Sequence, residues 1–387
     1  MGKERKAKVT GHVLREMRDN RNIVLANHFN SFQQVLDHED MRENCISFTC
    51  LLYNPNDKLV YCGITSLSND ILYTFNPKTK KFRSLNYAQA DGAEKYDVKV
   101  HRSLCLDDDG MIYGATACLH GVPDYREAPG GKIFRYDPKK DKIEILTIPF
   151  AHEYVQTITL DKARKIIYGC TYPSVHLFRY DIRTNRTTDL GLTVSAPHRP
   201  AIDREGNLWS LYNSNHPGDD RGTKLLRYNP DQDKLNYGPW PDSCQMVRKG
   251  NDDMTLGPDG MIYIGCGSGE LLRLDPQRAE MEYLGKPFHS RRLTTRFGTD
   301  GLLYLASGFG QLEKGGANSS DSAVFSYNTK TGQFHSHGYL FDAKRKLSCV
   351  LVHDIAITDD GLAYVAETDN FARSGYLWEC EIAGQGQ

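Results

Sequence analysis

Histidine, arginine, tyrosine and carboxylate side chains recur at one kind of position in this chain of 387 residues. About eight or nine residues before a series of tight turns stand His101, Gln156, His198 with Arg199, Asn251 with Asp252 and Asp253, Arg291 with Arg292, and His353 with Asp354. The first position of the series offers only Thr49. A little beyond the turns come His120, Tyr172, Asn213, Thr368 and Asp369. Imidazole, phenol and guanidinium together suit one chemistry that needs no metal, β-elimination across a uronic acid glycoside. A base removes the C5 proton, an acid protonates the leaving oxygen at C4, and a cation neutralises the carboxylate while charge builds in the enolate-like transition state. Histidine suits the base because it titrates near neutrality. Arginine suits the carboxylate because its fork binds both oxygens. Tyrosine or a second histidine suits the acid. The competing reading is that such side chains only bond one another and trapped water near an axis. Asp252, Asp253 and Asp354 offer oxygen ligands for a hard cation, but their spacing matches no ligand motif. No cofactor is expected, and a structural divalent cation is the one such group left open. His176, His216, His289, His335 and His337 read as solvated or structural, and His12, His28 and His38 carry no site signal.

The elements that must position these side chains come from a motif pair repeated seven times. One member is a turn and an apolar run ending in an aromatic: NDKLVY (Tyr61), DDGMIY (Tyr113), ARKIIY (Tyr168), REGNLW (Trp209), PDGMIY (Tyr263), TDGLLY (Tyr304) and DDGLAY (Tyr364). Asp-Gly pairs suit tight hairpins because Gly accepts positive φ. The other is an alternating strand usually closed by Asp or Asn: ILYTFNP, KIFRYDP, HLFRYDI, KLLRYNP, ELLRLDP, AVFSYNT and YLWECEI. Each pair sits in a unit of four strands, A to D. The expectation is an all-β, seven-bladed β-propeller forming one domain over 1–387. Strand A is innermost, so the residues at its start gather on one face. The seventh unit lacks a D strand. The spare strand text HVLREM (12–17) or NIVLA (22–26) is expected to close the ring. Insertions at 121–131 and 311–321 read as loops over one face.

Bulk composition excludes several classes. The chain has 48 basic and 49 acidic residues, a net charge of −1, without the basic face that nucleic acid binding needs. No apolar stretch approaches the roughly 18 residues of a membrane span, and the N-terminus lacks a secretory h-region. The localisation expected is cytoplasmic, or secreted or periplasmic if a signal has been trimmed. Ten cysteines form no CxxC pair, which favours a reducing compartment.

The text HRSLCLDDDGMIYGATACLHG places His101 and His120 across the A–B hairpin of blade 2. It resembles the paired histidines of the seven-bladed propeller polysaccharide lyases, the group of ulvan lyases and rhamnose–glucuronate lyases. The repeated DG-IYG and LFRYD text is similar along the whole chain. The resemblance implies His101 and His120 as the acid–base pair and Tyr172 as the blade 3 tyrosine. It implies an arginine on the uronate carboxylate, here Arg199, with Arg291 and Arg292 equally placed by position. His198, Asn251 and His353 complete the expected substrate-binding set. The implied partner is a uronate-containing oligosaccharide, not nucleic acid or membrane. Those lyases are usually secreted, whereas no signal is read here. A propeller hydrolase on the same linkages, a metal-dependent lactonase or antibiotic-ring lyase, and a protein-binding propeller are the rival expectations.

Overall fold

The structure is a computed structural model that describes residues 7–16, 29–68, 70–119, 127–193, 198–213, 223–241, 253–309, 322–368 and 373–382. Seven four-stranded antiparallel sheets follow one another around an axis, making an all-β propeller. Blade 1 comprises Ser47–Asn54, Leu59–Thr65, Leu72–Asn76 and Lys81–Ser84; blade 2, Leu104–Leu106, Ile112–Ala115, Ile133–Asp137 and Lys142–Thr147. Blade 3 comprises Tyr154–Asp161, Ile166–Tyr172, His176–Asp181 and Arg186–Leu192; blade 4, Ala201–Ile202, Leu208–Asn213, Thr223–Asn229 and Lys234–Asn236. Blade 5 comprises Asp253–Leu256, Ile262–Gly265, Leu271–Asp275 and Glu280–Gly285; blade 6, Leu293–Phe297, Leu303–Gly308, Ser322–Asn328 and Gln333–Tyr339. Blade 7 takes strands A to C from Val352–Ile357, Leu362–Glu367 and Leu377–Glu381. Strand A of each blade lies against strand A of a neighbouring blade, so the seven A strands line the axis.

The repeated letters have identifiable work. In strand C the closing Asp or Asn turns its Oδ1 onto the next backbone N–H groups. Asn76 receives Lys78 N (2.9 Å) and Thr79 N (3.1 Å), and Asp137, Asp181, Asn229, Asp275 and Asn328 repeat the pattern. This satisfies turn donors that leave the ladder. The strand B aromatic is buried in every blade, and in blades 1, 4, 5 and 6 it is clipped to its own turn: Tyr61 Oη donates to Asp57 at 2.6 Å, Tyr263 Oη to Asp259 at 2.7 Å, Tyr304 Oη to Asp300 at 2.6 Å and Trp209 Nε1 to Asp203 at 2.8 Å. The glycine after the aromatic leaves room for the strand C phenylalanine. A Cβ on Gly114 would lie 2.2 Å from the Phe134 ring, and one on Gly169 2.4 Å from the Phe178 ring. Apolar clusters fill each gap between blades.

The ring is closed by Val9–His12, which pairs antiparallel with Leu377–Glu381. Closure by an N-terminal strand agrees with the sequence expectation. The strand itself lies upstream of HVLREM and shares only His12 with it, while NIVLA lies outside the described residues. Gly11 explains the choice, since a Cβ there would approach Tyr376 to 2.9 Å. His12 Nε2 lies 2.9 Å from Glu379 and its ring sits on Phe75. Two short helices that the sequence reading did not anticipate, α1 (Phe32–Asp37) and α2 (Glu39–Asn44), pack Phe32, Val35 and Met41, together with the preceding Phe29, against Val98, Ala117, Cys118 and Tyr154. The turns of α2 start from His38, whose Nδ1 accepts from Met41 N. Residues 121–126 of the blade 2 insertion and the whole blade 6 insertion, 311–321, lie outside the described residues.

Candidate functional site

The A strands of blades 1, 3 and 7 are each broken by a bulge. The register skips Thr49 between Phe48 and Cys50, Gln156 between Val155 and Thr157, and His353 between Val352 and Asp354. A bulged residue leaves its ladder bonds unmade and re-aims its groups. Here those groups orient histidines of neighbouring blades. Thr49 O lies 2.8 Å from His353 Nδ1, and Gln156 O lies 2.8 Å from His101 Nδ1. Thr157, beside the bulge, donates its hydroxyl to His198 O at 2.6 Å. Residues of five blades thereby bring three imidazoles together. Ring centroids are 4.7 Å apart for His101 and His353, 5.4 Å for His101 and His198, and 5.6 Å for His198 and His353. His101 and His353 are 4% and 3% exposed, whereas His198 is more open to solvent.

Next to the imidazoles lies a buried ion network that crosses the axis. Arg199 (blade 4) reaches Asp253 (blade 5) at 2.6 Å and Asp354 (blade 7) at 3.0 Å. Arg296 (blade 6) reaches Asp354 at 3.2 Å and Asp253 at 3.6 Å. Arg102 (blade 2) lies 3.9 Å from Asp253 and donates to His353 O. Thr294 Oγ1, Thr295 N and Leu51 N also donate to these two carboxylates. Among the described residues, three guanidinium groups therefore meet two carboxylates, a surplus of one positive charge. Burial works against ionising Asp253 and Asp354, but Arg199, Arg296 and Arg102 outweigh it, holding Asp253 well below the usual carboxylate range and lowering Asp354 as well. Burial pushes Arg102 down to about 10, against the pull of Asp253 and Asp354. Its Nε has no hydrogen-bond partner among the described residues.

The same surroundings keep His101 and His353 neutral. Burial, followed by the charge of Lys99 and the nearby His198, holds His101 well below the ordinary histidine range. Burial, Arg102 and His101 do the same to His353, with His198 and Arg292 adding to it. The site can therefore present imidazole lone pairs, either to a proton or to a cation, beside an excess of positive charge that suits an anion.

The sequence-derived residues divide clearly. His101, His198 and His353 converge, and Gln156 and Thr49 hold two of them in place. Arg199, the expected carboxylate holder, has both its terminal nitrogens on Asp253 and Asp354. Asp253 and Asp354 in turn face arginines. Arg292 is partly exposed, sits 5.1 Å over the Phe309 ring and acts electrostatically on His353. Arg291 is exposed over the same ring at 5.8 Å. Tyr172 packs on Tyr154 with centroids 5.3 Å apart, at the edge of the apolar cluster under α1 and α2. His120, Asn251, Asp252 and Asp369 lie outside the described residues, as does the side chain of Asn213. Lys99, Arg102 and Arg296 were missed. Each carries a signal in hindsight: Lys99 stands between two valines, Arg102 follows His101, and Arg296 interrupts the strand LTTRF.

No protein-family model matches this chain, and no curated protein matches it either. Solved structures do. The extracellular domain of the putative hybrid two-component system BT4673 from B. thetaiotaomicron aligns with a TM-score of 0.59 at 12% identity, over 96% of this chain and 40% of that one. This chain thus spans well under half the length of that relative. U3-55K aligns with a TM-score of 0.56 at 10% identity, over 88% of this chain and 97% of that one. At such identities the likeness shows the fold alone, a β-propeller.

Proposed function

We propose that this propeller is a carbon–oxygen lyase that cleaves a uronic acid glycosidic bond in an oligosaccharide by β-elimination. The observation that carries the reading is the set of buried, neutral imidazoles beside a surplus of buried positive charge. Abstraction at C5 needs an unprotonated base, and the developing enolate needs a cation near the carboxylate. His101 and His353 satisfy the first requirement. With Arg199 committed to two aspartates, the second falls to Arg292 and Lys99, the cations that act on those histidines from outside the ion network. His120 and Tyr172 remain the donors implied for the leaving oxygen.

The test is a screen of uronate-containing oligosaccharides, following ultraviolet absorbance for the conjugated double bond of the product. The wild type should form it. Arg292→Gln should lower kcat/KM by about 10²–10³-fold, the cost of removing one group that stabilises developing negative charge, with little change in melting temperature. Saturated sugars alone would replace the lyase by a hydrolase, and no turnover on any uronate would leave a binding propeller. A second reading, a metal-dependent ring-opening lyase or lactonase, is favoured by one observation, the three clustered histidines. Loss of lactone turnover on chelation would establish it.

A further inference from the structure

His101 and His353 present a hydrogen-bonding problem that geometry alone poses. Each Nδ1 lies 2.8 Å from a backbone carbonyl oxygen. A carbonyl only accepts, so both Nδ1 atoms carry hydrogen. In neutral imidazoles both Nε2 atoms then bear lone pairs. Yet these Nε2 atoms are 3.1 Å apart. Two lone pairs facing each other at that distance repel unless something positive lies between or beside them. The candidate ligand atoms of His198, His101 and His353 all fall within 4.8 Å of one another.

We propose that His101, His198 and His353 form a binding site for one divalent first-row transition ion. Nitrogens about 2.0–2.1 Å from a tetrahedral ion lie roughly 3.3–3.4 Å apart, close to the observed Nε2–Nε2 separation. Neutral imidazole is a preferred donor for zinc, copper, iron and nickel. The Nδ1–H bonds to Gln156 O and Thr49 O are the outer contacts that fix a ligating histidine's tautomer and ring plane. A further oxygen stands in the same shell of residues: Gln156 Oε1 is buried and has no hydrogen-bond partner among the described residues. Three protein ligands, one of them more open, leave a coordination position for a substrate atom, which is the pattern of catalytic rather than structural sites. Because the ligands are neutral, the ion keeps its double charge beside Lys99, Arg102 and Arg292, and that open position attracts an anion. If the lyase reading holds, that anion is the uronate carboxylate, and proton abstraction passes from His101 to a group outside the triad. The metal site itself does not depend on that reading.

The experiment uses the full chain with any polyhistidine tag removed. Metal content is measured after dialysis, and stripped protein is then titrated with Co²⁺ and Zn²⁺. Co²⁺ should bind one per chain with visible d–d absorption, Zn²⁺ should displace it, and both should raise the melting temperature. His198→Ala changes the most accessible ligand and leaves the buried pair intact. It should weaken Co²⁺ binding by at least about tenfold, since losing even an outer-shell partner costs 10–100-fold. Two results would overturn the site. One is wild-type protein that takes up no stoichiometric Co²⁺ or Zn²⁺, which would leave a shared proton between the two Nε2 atoms. The other is His198→Ala binding Co²⁺ as tightly as wild type with an unchanged spectrum. Because the readouts are stoichiometry, absorption and melting, the absence of lyase turnover does not bear on them.

Discussion

Asp253→Asn is the substitution that most directly probes the charge arrangement at the axis. Asn fills the same space but carries one oxygen and one amide group. If its oxygen keeps the hydrogen bonds from Thr294 Oγ1 (2.6 Å) and Thr295 N (2.9 Å), its amide N–H groups face Arg199, which now lies 2.6 Å from the carboxylate. Three arginines would then share the single carboxylate of Asp354. Removing one partner from a buried ion pair costs about 3–5 kcal/mol. With an unfolding entropy of about 2.1 cal/mol/K per residue, 387 residues give roughly 0.8 kcal/mol/K, so the melting temperature should fall by about 4–6 °C. Arg199→Met should cost less, because two arginines would then balance two aspartates. The pH dependence follows from the sign of the shift. Asp253 has a depressed folded-state pKa, so its contribution is present above the unfolded value of about 3.9 and lost as pH falls through the folded one. Wild type and Asp253→Asn should therefore differ fully at pH 7 and 5 and converge only in strong acid. Calorimetric melts at pH 7, 5 and 3.5, in low and high salt, read this out; salt should matter little because the pairs are buried. A variant melting within about 1 °C of wild type at pH 7 would refute the network. If Arg199→Met kept its melting temperature and raised only KM, Arg199 would be a substrate ligand after all.

Other expectations test neighbouring steps. Deleting residues 1–12 removes the strand that covers Leu377–Glu381, exposing a sheet edge, and should lower the melting temperature and promote association seen by light scattering; an unchanged melt would contradict closure by this strand. Gly169→Ala places a Cβ 2.4 Å from the Phe178 ring and should cost about 1–3 kcal/mol through overpacking, measured by urea unfolding; a neutral effect would show that Phe178 can move aside. His337, lowered to about 4 by burial with His335 beside it, has a depressed folded-state pKa. Its neutral form therefore favours folding above about pH 6.5, and by pH 5 about 2 kcal/mol of that stability should be lost. His337→Gln should remove that slice of the pH dependence, and equal slopes for variant and wild type between pH 7 and 5 would disprove it.

Much of the fold was legible because its signals are local. The Asp or Asn closing strand C is there to accept two backbone N–H groups within the same turn, and in blades 1, 4, 5 and 6 the strand B aromatic bonds an Asp of its own hairpin. Such contacts span two to six residues and so leave a periodic trace. The offset from turn to axis is equally local, and it found His101, His198 and His353. What it missed depends on contacts between blades. Arg296 sits in an A strand and Arg199 just before one, but only the packing of blades 4 to 7 shows that Arg199 is enclosed by two aspartates. The closing strand was misplaced by a few residues because the choice rests on Gly11 fitting against Tyr376, some 365 positions away. The helices α1 and α2 escaped because each is only 6 residues long, too short for a helical period to stand out.

The bulges carry the deepest part of the arrangement, and no residue type announces them. Thr49 and Gln156 matter through backbone carbonyls that the bulges release from their ladders, a role open to many side chains. Each histidine is thereby oriented from a blade other than its own: His353 of blade 7 by Thr49 of blade 1, His101 of blade 2 by Gln156 of blade 3, and the His198 backbone by Thr157 of blade 3. The contact from Thr49 to His353 crosses the seam between the last blade and the first. That seam is flanked by the blade whose outer strand is Val9–His12, so the N-terminal strand stabilises more than a sheet edge. By holding blade 7 complete, it holds His353 where its Nε2 faces His101. Ring closure and assembly of the histidine centre are on this account one structural event, although the closing strand and His353 lie at opposite edges of the same blade.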